Sequence, residues 1–328
     1  MRRVSLIRAF FLSRPMQRPR PSPRPASRDR LASTFSIVAR DPKTKELGVA
    51  VQSHYFSVGS AVPWAEYGVG AVATQSFVEP AYGPRTLRLL ARGVTPAQAL
   101  ARLTAQDARR EVRQVGVIDA RGRTAGWTGS GCIEYAGHVR GTEYAAQGNL
   151  LASPKVWPAM GRAFESTQGA LADRLLAALE AGQRAGGDAR GMQSAAILVV
   201  GRPEEGKPWT QRKVDLRVED HHSPIRELRR LVTLQRAFSL GDEADQAALQ
   251  GDARRAEATY ARAVRMAPGS DELRFWRGAM RMRLGRHAAA VEDVRAAIRM
   301  NPRWRKLLPR LGEDQFPHAD DVLRALRP

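Results

Sequence analysis

The first two-thirds of the chain alternate between strand-like and helix-like patterns of apolar residues. Alternating or continuous apolar residues predict strands near 35–39, 47–53, 68–74, 115–119, 124–128, 195–200 and 214–218. Apolar residues spaced three and four apart predict helices near 84–92, 96–103, 156–164 and 171–185. A doubly wound sheet would need single strands and helices in alternation, whereas here they come in groups. This order favours helix pairs packed on stacked, largely antiparallel sheets.

From residue 225 onward the pattern predicts helices only, and it contains an internal repeat. Small alanines let two antiparallel helices approach closely, glycine ends one helix and proline follows the other. The 34-residue period resembles that of tetratricopeptide repeats, and we expect this segment to bind a peptide or protein partner. The recurring positions are Gly251, Ala256, Ala263 and Pro268, which correspond to Gly285, Ala290, Ala297 and Pro302.

Residues 1–33 are basic and rich in proline. They contain nine arginines and one aspartate, a composition that does not build a core. We interpret them as a disordered tail, with Met16 as an alternative start, or as a leader for export or an organelle. The predicted domains are therefore a tail or leader at 1–33, an α+β domain at 34–224 and a helical domain at 225–328.

Composition excludes several classes of protein. The chain has 328 residues, a net charge of +20 and one cysteine, which excludes an internal disulfide framework. The leader carries much of the charge, and no basic and aromatic platform follows, so we predict no nucleic-acid partner. No uncharged apolar run approaches the roughly 18 residues of a membrane span. We predict a cytoplasmic protein, with export or organelle targeting by the leader as the alternative.

The chain lacks the common motifs of cofactor and metal chemistry. It contains no phosphate-binding loop, no dinucleotide-binding glycine fingerprint and no histidine pair at the spacing of zinc proteases. We therefore predict neither a cofactor nor a metal. Two weaker candidates are a thiolate made by Cys132 with His138, and a metal site at Asp220, His221 and His222. A free cysteine is more often a small buried apolar residue, and neighbours on a strand point to alternating faces.

Thr34 stands where the leader ends and the first strand begins. A threonine hydroxyl is a poor nucleophile unless the threonine is the first residue of the mature chain. Its α-amine, with an ordinary pKa of about 7.7–8.0, is then partly neutral near physiological pH and accepts the hydroxyl proton. The plain alternative is that Thr34 is a β-favouring residue opening a strand.

Many short blocks of the sequence occur in the order of one known family. They include Thr-Phe-Ser-Ile-Val-Ala-Arg-Asp at 34–41, Gly-Val-Ala-Val-Gln-Ser at 48–53, Gln-Gly-Asn at 147–149 and Gly-Gly-Asp at 186–188. Over residues 34–236 the chain resembles the family called domain of unknown function 1028, which is grouped with the N-terminal nucleophile (Ntn) hydrolases. The resemblance implies an α+β fold, a four-layer αββα sandwich, here followed by the all-α helical-repeat segment.

The resemblance also implies roles for individual residues. Thr34 would be the nucleophile and its α-amine the base. Asn149, with the backbone N–H of Gly148, would stabilise the oxyanion, and Asp188 and Ser194 would orient the α-amine. For Asn149 and Asp188 the alternative is a role in stabilising a turn. Residues 52–53 are Gln-Ser where related proteasome-type enzymes carry an aspartate, which weakens a proteasome-like mechanism.

Members of this family usually begin Met-Thr, whereas here Ser33 and the leader precede Thr34. We therefore expect either a later start or cleavage between Ser33 and Thr34, by attack of the Thr34 hydroxyl on the Ser33 carbonyl. The expected function is hydrolysis of a small amide or peptide-like bond, in a homo-oligomer by analogy with related sandwiches. The alternative is a non-catalytic scaffold whose helical repeats mediate protein–protein interaction.

Overall fold

The computed structural model of the protein describes residues 31–32 and 34–327. Within this part of the chain the protein is a mixed α+β structure with two antiparallel sheets, ten α-helices and a helical C-terminal region. Most of the predicted leader lies outside the described residues. Among the described residues, no helix is long and apolar enough to cross a membrane.

The smaller sheet, sheet A, has five strands, and its longest strand pairs with three of the others. Its strands are β1 (Leu31–Ala32), β4 (Pro63–Glu66), β5 (Gly70–Phe77), β6 (Arg113–Asp119) and β7 (Thr124–Thr128). One edge of β5 pairs with β6, and β7 follows beyond β6. The other edge is shared, because β4 pairs with residues 70–73 and β1 pairs with residues 76–77.

The larger sheet, sheet B, has six antiparallel strands in the spatial order β11-β10-β3-β2-β9-β8. They are β2 (Thr34–Arg40), β3 (Leu47–Ser53), β8 (Gly137–Gly141), β9 (Tyr144–Gly148), β10 (Ser194–Val200) and β11 (Arg212–Val218). The central strands β2 and β3 are buried along their whole length. This accounts for their nearly continuous apolar sequence, because both faces of each strand meet other layers.

A helix pair lies on the outer face of each sheet. The helices α1 (Tyr82–Ala91) and α2 (Pro96–Ala105) contact sheet A, and α3 (Val156–Ser166) and α4 (Leu171–Arg184) contact sheet B. The inner faces of the two sheets contact each other through β2 with β5 and β6 with β9. Apolar side chains such as Val38, Val49 and Ile118 fill the space between them.

The C-terminal region consists of helices alone. They are α5 (Pro224–Leu249), α6 (Ala253–Met266), α7 (Asp271–Arg283), α8 (His287–Met300), α9 (Arg303–Leu307) and α10 (Ala319–Ala325). The beginning of α5 packs Ile225, Leu228 and Val232 into the core beneath sheet B. Its second half contributes Ala237 and Ala244 to the core of the helical region. The helix therefore links the two regions through continuous packing.

All the strands and helices predicted for residues 34–224 are present. The structure has three further strands that were not predicted, and its first strand begins before residue 34. The helix predicted near 96–103, for example, is present and begins at Pro96, directly after Thr95, which forms a capping box with Gln98. The strands β4, β8 and β9 were missed, because they are short and contain few large β-branched residues. Leu31 and Ala32, predicted as part of the disordered tail, form β1 because their backbone pairs with the open end of β5.

Candidate active site

The layer between the two sheets changes from apolar to polar at one end. Eight polar side chains there are at most 1 % exposed, although burying polar groups is costly unless they bond to one another. Alternation along the strands turns these side chains toward the space between the sheets, as it does for Val38. We call this set the polar cluster; it comprises Thr34, Ser36, Ser53, Gln75, Gln114, Gln147, Asn149 and Ser194.

Thr34 opens β2, and its backbone and side chain both bond within the polar cluster. Its N–H donates to the Asn149 carbonyl at 3.4 Å, and its carbonyl accepts from the Asn149 N–H at 3.1 Å. The Gln75 side chain donates to the same Thr34 carbonyl at 3.1 Å. The Thr34 hydroxyl lies 3.2 Å from the Ser53 hydroxyl. Thr34 is fully buried, so its hydroxyl is not exposed to solvent in this structure.

Three hydroxyl-bearing residues stand in a row across sheet B. Thr34 pairs with Ser53 on β3, and Ser53 pairs with Ser194 on β10. Neighbouring strands are about 4.8 Å apart, so Ser194 is roughly 10 Å from Thr34. The Ser194 hydroxyl donates to the Tyr55 carbonyl and accepts from the Val58 N–H. Ser194 therefore holds the loop after β3, and Ser53 is the residue that contacts Thr34.

Three glutamines connect the two sheets behind Thr34. Gln75 on β5 donates to the Gln114 side-chain oxygen at 2.7 Å and accepts from the Ser36 hydroxyl at 2.6 Å. Gln114 on β6 donates to the Gly148 carbonyl at 2.8 Å, at the end of β9. Gln147 on β9 donates to the Ser36 hydroxyl at 3.3 Å. The network fixes the backbone on both sides of the threonine.

Asn149 lies directly beside Thr34, as its predicted role requires, but its amide nitrogen already has a partner. That nitrogen donates to the Gln114 side-chain oxygen at 2.8 Å, which leaves one of its two hydrogens. The side-chain oxygen of Asn149 is fully buried without a hydrogen-bond partner. Its role in stabilising an oxyanion stays a prediction.

Asp188 lies near the polar cluster and bonds to a neighbouring loop. Its buried carboxylate accepts from the N–H of His54, the residue after Ser53, at 3.0 Å. It also accepts from the Arg190 guanidinium at 2.9 Å. These contacts join the turn at Asp188 to the loop after β3. Its predicted role in orienting the α-amine stays a prediction.

The geometry does not pair Cys132 with His138. The Cys132 thiol donates to the Arg113 carbonyl, and His138 Nδ1 lies 2.9 Å from the Thr128 hydroxyl. Burial raises the pKa of the Cys132 thiol, which reduces the thiolate needed for nucleophilic attack. Burial also lowers the pKa of His138, with a further contribution from the nearby Arg140.

The second weak candidate, the stretch from Asp220 to His222, makes local contacts. The Asp220 carboxylate accepts from Gln193, and His221 Nδ1 accepts from the Ser223 N–H. The rings of His221 and His222 stack at 4.3 Å. No group of three or more His, Cys, Asp or Glu side chains in residues 31–32 and 34–327 is arranged to hold a metal ion.

Ser53, Gln75 and Gln114 belong to the polar cluster but were not predicted as site residues. The sequence pattern that could have identified them is a strand that ends in polar residues although its apolar part is typical of a buried strand. Both β3 and β5 end near Gln-Ser pairs, at 52–53 and 75–76, after runs of small apolar residues. Two strands of this kind, with their ends adjacent, indicate a buried polar pocket between sheets.

Fold and site thus define an α+β protein with a buried, polar threonine site between two sheets. A family model described as "Family of unknown function (DUF1028)" matches residues 34–228, and the chain belongs to this family. The protein is similar to the crystal structure of protein SPO2555 from Silicibacter pomeroyi, assigned to the same family. The two are 33% identical with a TM-score of 0.55, over 61% of this chain and 88% of that chain. No curated protein matches the chain.

Proposed function

We propose that residues 34–224 form a four-layer αββα sandwich of the Ntn-hydrolase type. The contacts support this arrangement, because α1 and α2 cover sheet A and α3 and α4 cover sheet B. The inner faces of the sheets pack on each other, and Thr34 opens a central strand. In such a sandwich a nucleophile at the start of the strand lies at the mouth of the space between the sheets.

We further propose that the mature protein hydrolyses an amide or peptide-like bond with Thr34 as the nucleophile. The observation that carries this proposal is the position of Thr34 at the start of β2, bonded to Ser53, Gln75 and Asn149 in the polar cluster. A threonine in the middle of a strand could never offer an α-amine. This one can, once the peptide bond to Ser33 is cut.

The chemistry requires groups of Thr34, the substrate and one water molecule. The neutral α-amine removes the hydroxyl proton while Thr34 Oγ1 attacks the carbonyl carbon. The tetrahedral intermediate expels the amine, which takes the proton from the α-ammonium, and an ester remains on Thr34. Water then hydrolyses the ester, and the same amine serves as base. The Thr34 nitrogen that becomes the α-amine donates to the Asn149 carbonyl, and this contact supports a role for Asn149.

The buried position of Thr34 makes processing part of the proposal. In the unprocessed chain Thr34 has no α-amine, and its side chain is fully buried. We propose that Thr34 Oγ1 attacks the Ser33 carbonyl carbon, which transfers the acyl group from nitrogen to oxygen. Hydrolysis of that ester releases residues 1–33 and leaves a free amine on Thr34.

The decisive experiment is N-terminal sequencing and intact-mass measurement of protein expressed without an N-terminal tag. We expect a chain that begins at Thr34. The variant T34A should keep its leader and hydrolyse no amide, whereas T34S should still be processed. T34A removes the hydrogen bond between the Thr34 and Ser53 hydroxyls, and the loss of that bond should lower the free energy of unfolding by about 1 kcal/mol. A wild-type chain that retains residues 16–33, or processing in T34A equal to wild type, contradicts self-cleavage.

The alternative function is a scaffold that binds partners through its helices. The helical region supports it: α5 packs with α6 and α7 packs with α8, and Gly251 and Gly285 both adopt positive φ between paired helices. Two fully buried alanines of α6, Ala256 and Ala263, correspond to Ala290 and Ala297 of α8, which lie 34 residues later and are also fully buried. We propose that these pairs are tetratricopeptide-like repeats. A full-length chain without amide hydrolysis would favour this function over catalysis.

A further inference from the structure

The strand β1 occupies a free stretch of the edge of β5, right beside Thr34. The neighbouring strand β4 pairs only with residues 70–73 of that edge. Beyond it, Leu31 pairs with Phe77 and Ala32 pairs with Ser76, in antiparallel orientation. The chain then crosses from sheet A to sheet B and enters β2 at Thr34. The two residues that pair with β5 thus lie three and two positions before the nucleophile.

We propose that this edge of β5 binds the acyl side of an extended peptide substrate, and that β1 holds the same place before processing. The inference deepens, and rests on, the proposed function of Thr34. In self-cleavage the attacked carbonyl belongs to the residue directly before Thr34. A substrate whose carbonyl takes that position has its two preceding residues where Leu31 and Ala32 now lie.

The pairing sets the chemical class of the substrate. Strand addition uses backbone N–H and C=O groups, so it recognises a peptide main chain with little demand on its side chains. A substrate therefore needs an acyl part of about three residues. An amide with a single small acyl group would leave residues 76 and 77 of β5 unpaired. The positive φ of Ser76, +71°, agrees with a functional edge, because strained backbone concentrates at ligand sites.

The first test opens the edge in the full-length chain by replacing Leu31 and Ala32 with proline, in the background T34A so that no bond is cut. Proline has no N–H and does not sustain this pairing. The probe is a capped peptide with the sequence of residues 28–33, compared with a twin N-methylated at the amides of residues 31 and 32. Amide hydrogen exchange at residues 76–77 reports occupancy of the edge.

In the double-proline variant we expect faster exchange at residues 76–77 than in T34A alone. A peptide at about ten times its dissociation constant should slow that exchange about tenfold, and the N-methylated twin should not. In the T34A chain the peptide should not change the exchange at residues 76–77, because the covalently attached β1 segment competes for the same edge at an effective concentration in the millimolar range. A matched control with prolines at Ala26 and Ser27 should behave like T34A.

Three results would overturn the proposal: equal protection by both peptides, no protection up to the peptide's solubility limit, or unchanged exchange in the double-proline variant.

Circular dichroism verifies that this variant folds. If it does not, the chain beginning at Thr34 provides a second measurement. There, kcat/KM should rise as the acyl part of a peptide amide grows from one to three residues, and N-methylation at the two upstream amides should abolish the gain.

The two proposals fail separately. Binding of the peptide needs no catalysis, so protection of residues 76–77 without turnover of any amide would refute the hydrolase and keep the binding edge. Turnover that is independent of acyl length would refute the binding edge and keep the hydrolase.

Discussion

Replacing Gln75 by methionine should strongly destabilise the α+β part of the protein. Three hydrogen bonds end on the Gln75 amide: one from Ser36 and one each to Thr34 and Gln114. The acceptors on Thr34 and Gln114 keep a second donor on Asn149, whereas the buried Ser36 hydroxyl loses its acceptor. A lost bond costs about 1 kcal/mol and an orphaned buried hydroxyl about 1–3 kcal/mol, so we expect a loss of about 3–5 kcal/mol.

The assay is urea denaturation followed by circular dichroism, together with hydrogen exchange of amides in β5 and β6. Exchange is informative because it reports this region separately from the helical one. The matched control is Q246M on α5, since Gln246 is exposed. That substitution should change the free energy of unfolding by no more than about 0.5 kcal/mol.

A double-mutant cycle tests whether the loss comes from the network. Because Gln75 and Gln114 share one hydrogen bond, Q75M and Q114M together should cost at least about 0.5 kcal/mol less than the two single losses combined. The pair Q75M and Q246M should be additive. A loss below about 1 kcal/mol for Q75M, or equal coupling in both pairs, would refute the argument that the glutamines form one connected unit.

Further predictions concern acid stability, the thiol and a close contact. Burial alone would raise the pKa of Asp107, but hydrogen bonds, above all from Arg113, hold it below its usual range. The ionised Asp107 carboxylate therefore stabilises the folded protein above pH about 4, and this contribution is lost as the pH falls through the lowered pKa. The free energies of unfolding of wild type and D107N should therefore converge in acid denaturation. Cys132 should react with iodoacetamide more slowly than glutathione at pH 7.5, and C132A should leave any amide hydrolysis unchanged. G83A should lower the free energy of unfolding by about 1–3 kcal/mol in chemical denaturation, because a Cβ there would overlap the Trp64 ring.

The strands with strong patterns could be predicted from the sequence, and the weak ones could not. Residues 47–53 alternate small and branched apolar residues, and the strand has these bounds in the structure. The hairpin of β8 and β9 escaped prediction because glycine, alanine and polar residues dominate it. It nevertheless forms, since β9 pairs with β2 and is buried there. Tertiary pairing overrides weak local preference in such a strand.

Thr34 and Asn149 were singled out from the sequence as candidate residues, but their mutual contact was not predicted. The two residues are adjacent through their backbones, which the sequence alone did not reveal. Ser194 was predicted to orient the α-amine; the register, which was not predictable, puts Ser53 between Ser194 and Thr34. Register depends on which strands are neighbours, and this follows from the topology of the whole sheet rather than from any local motif.

The contrast between the two ends of the layer between the sheets supports a function for the polar end. At one end Val38, Val49 and Ile118 fill the layer with aliphatic groups, whose burial stabilises the packing of the two sheets. At the other end the same layer holds a network of amides and hydroxyls around Thr34. Well-packed apolar residues of similar volume often serve stability as well as a buried polar network does. Stability alone therefore does not account for the polar end, whereas the nucleophile proposed here would need polar partners for the hydroxyl that loses its proton and for the backbone that holds it.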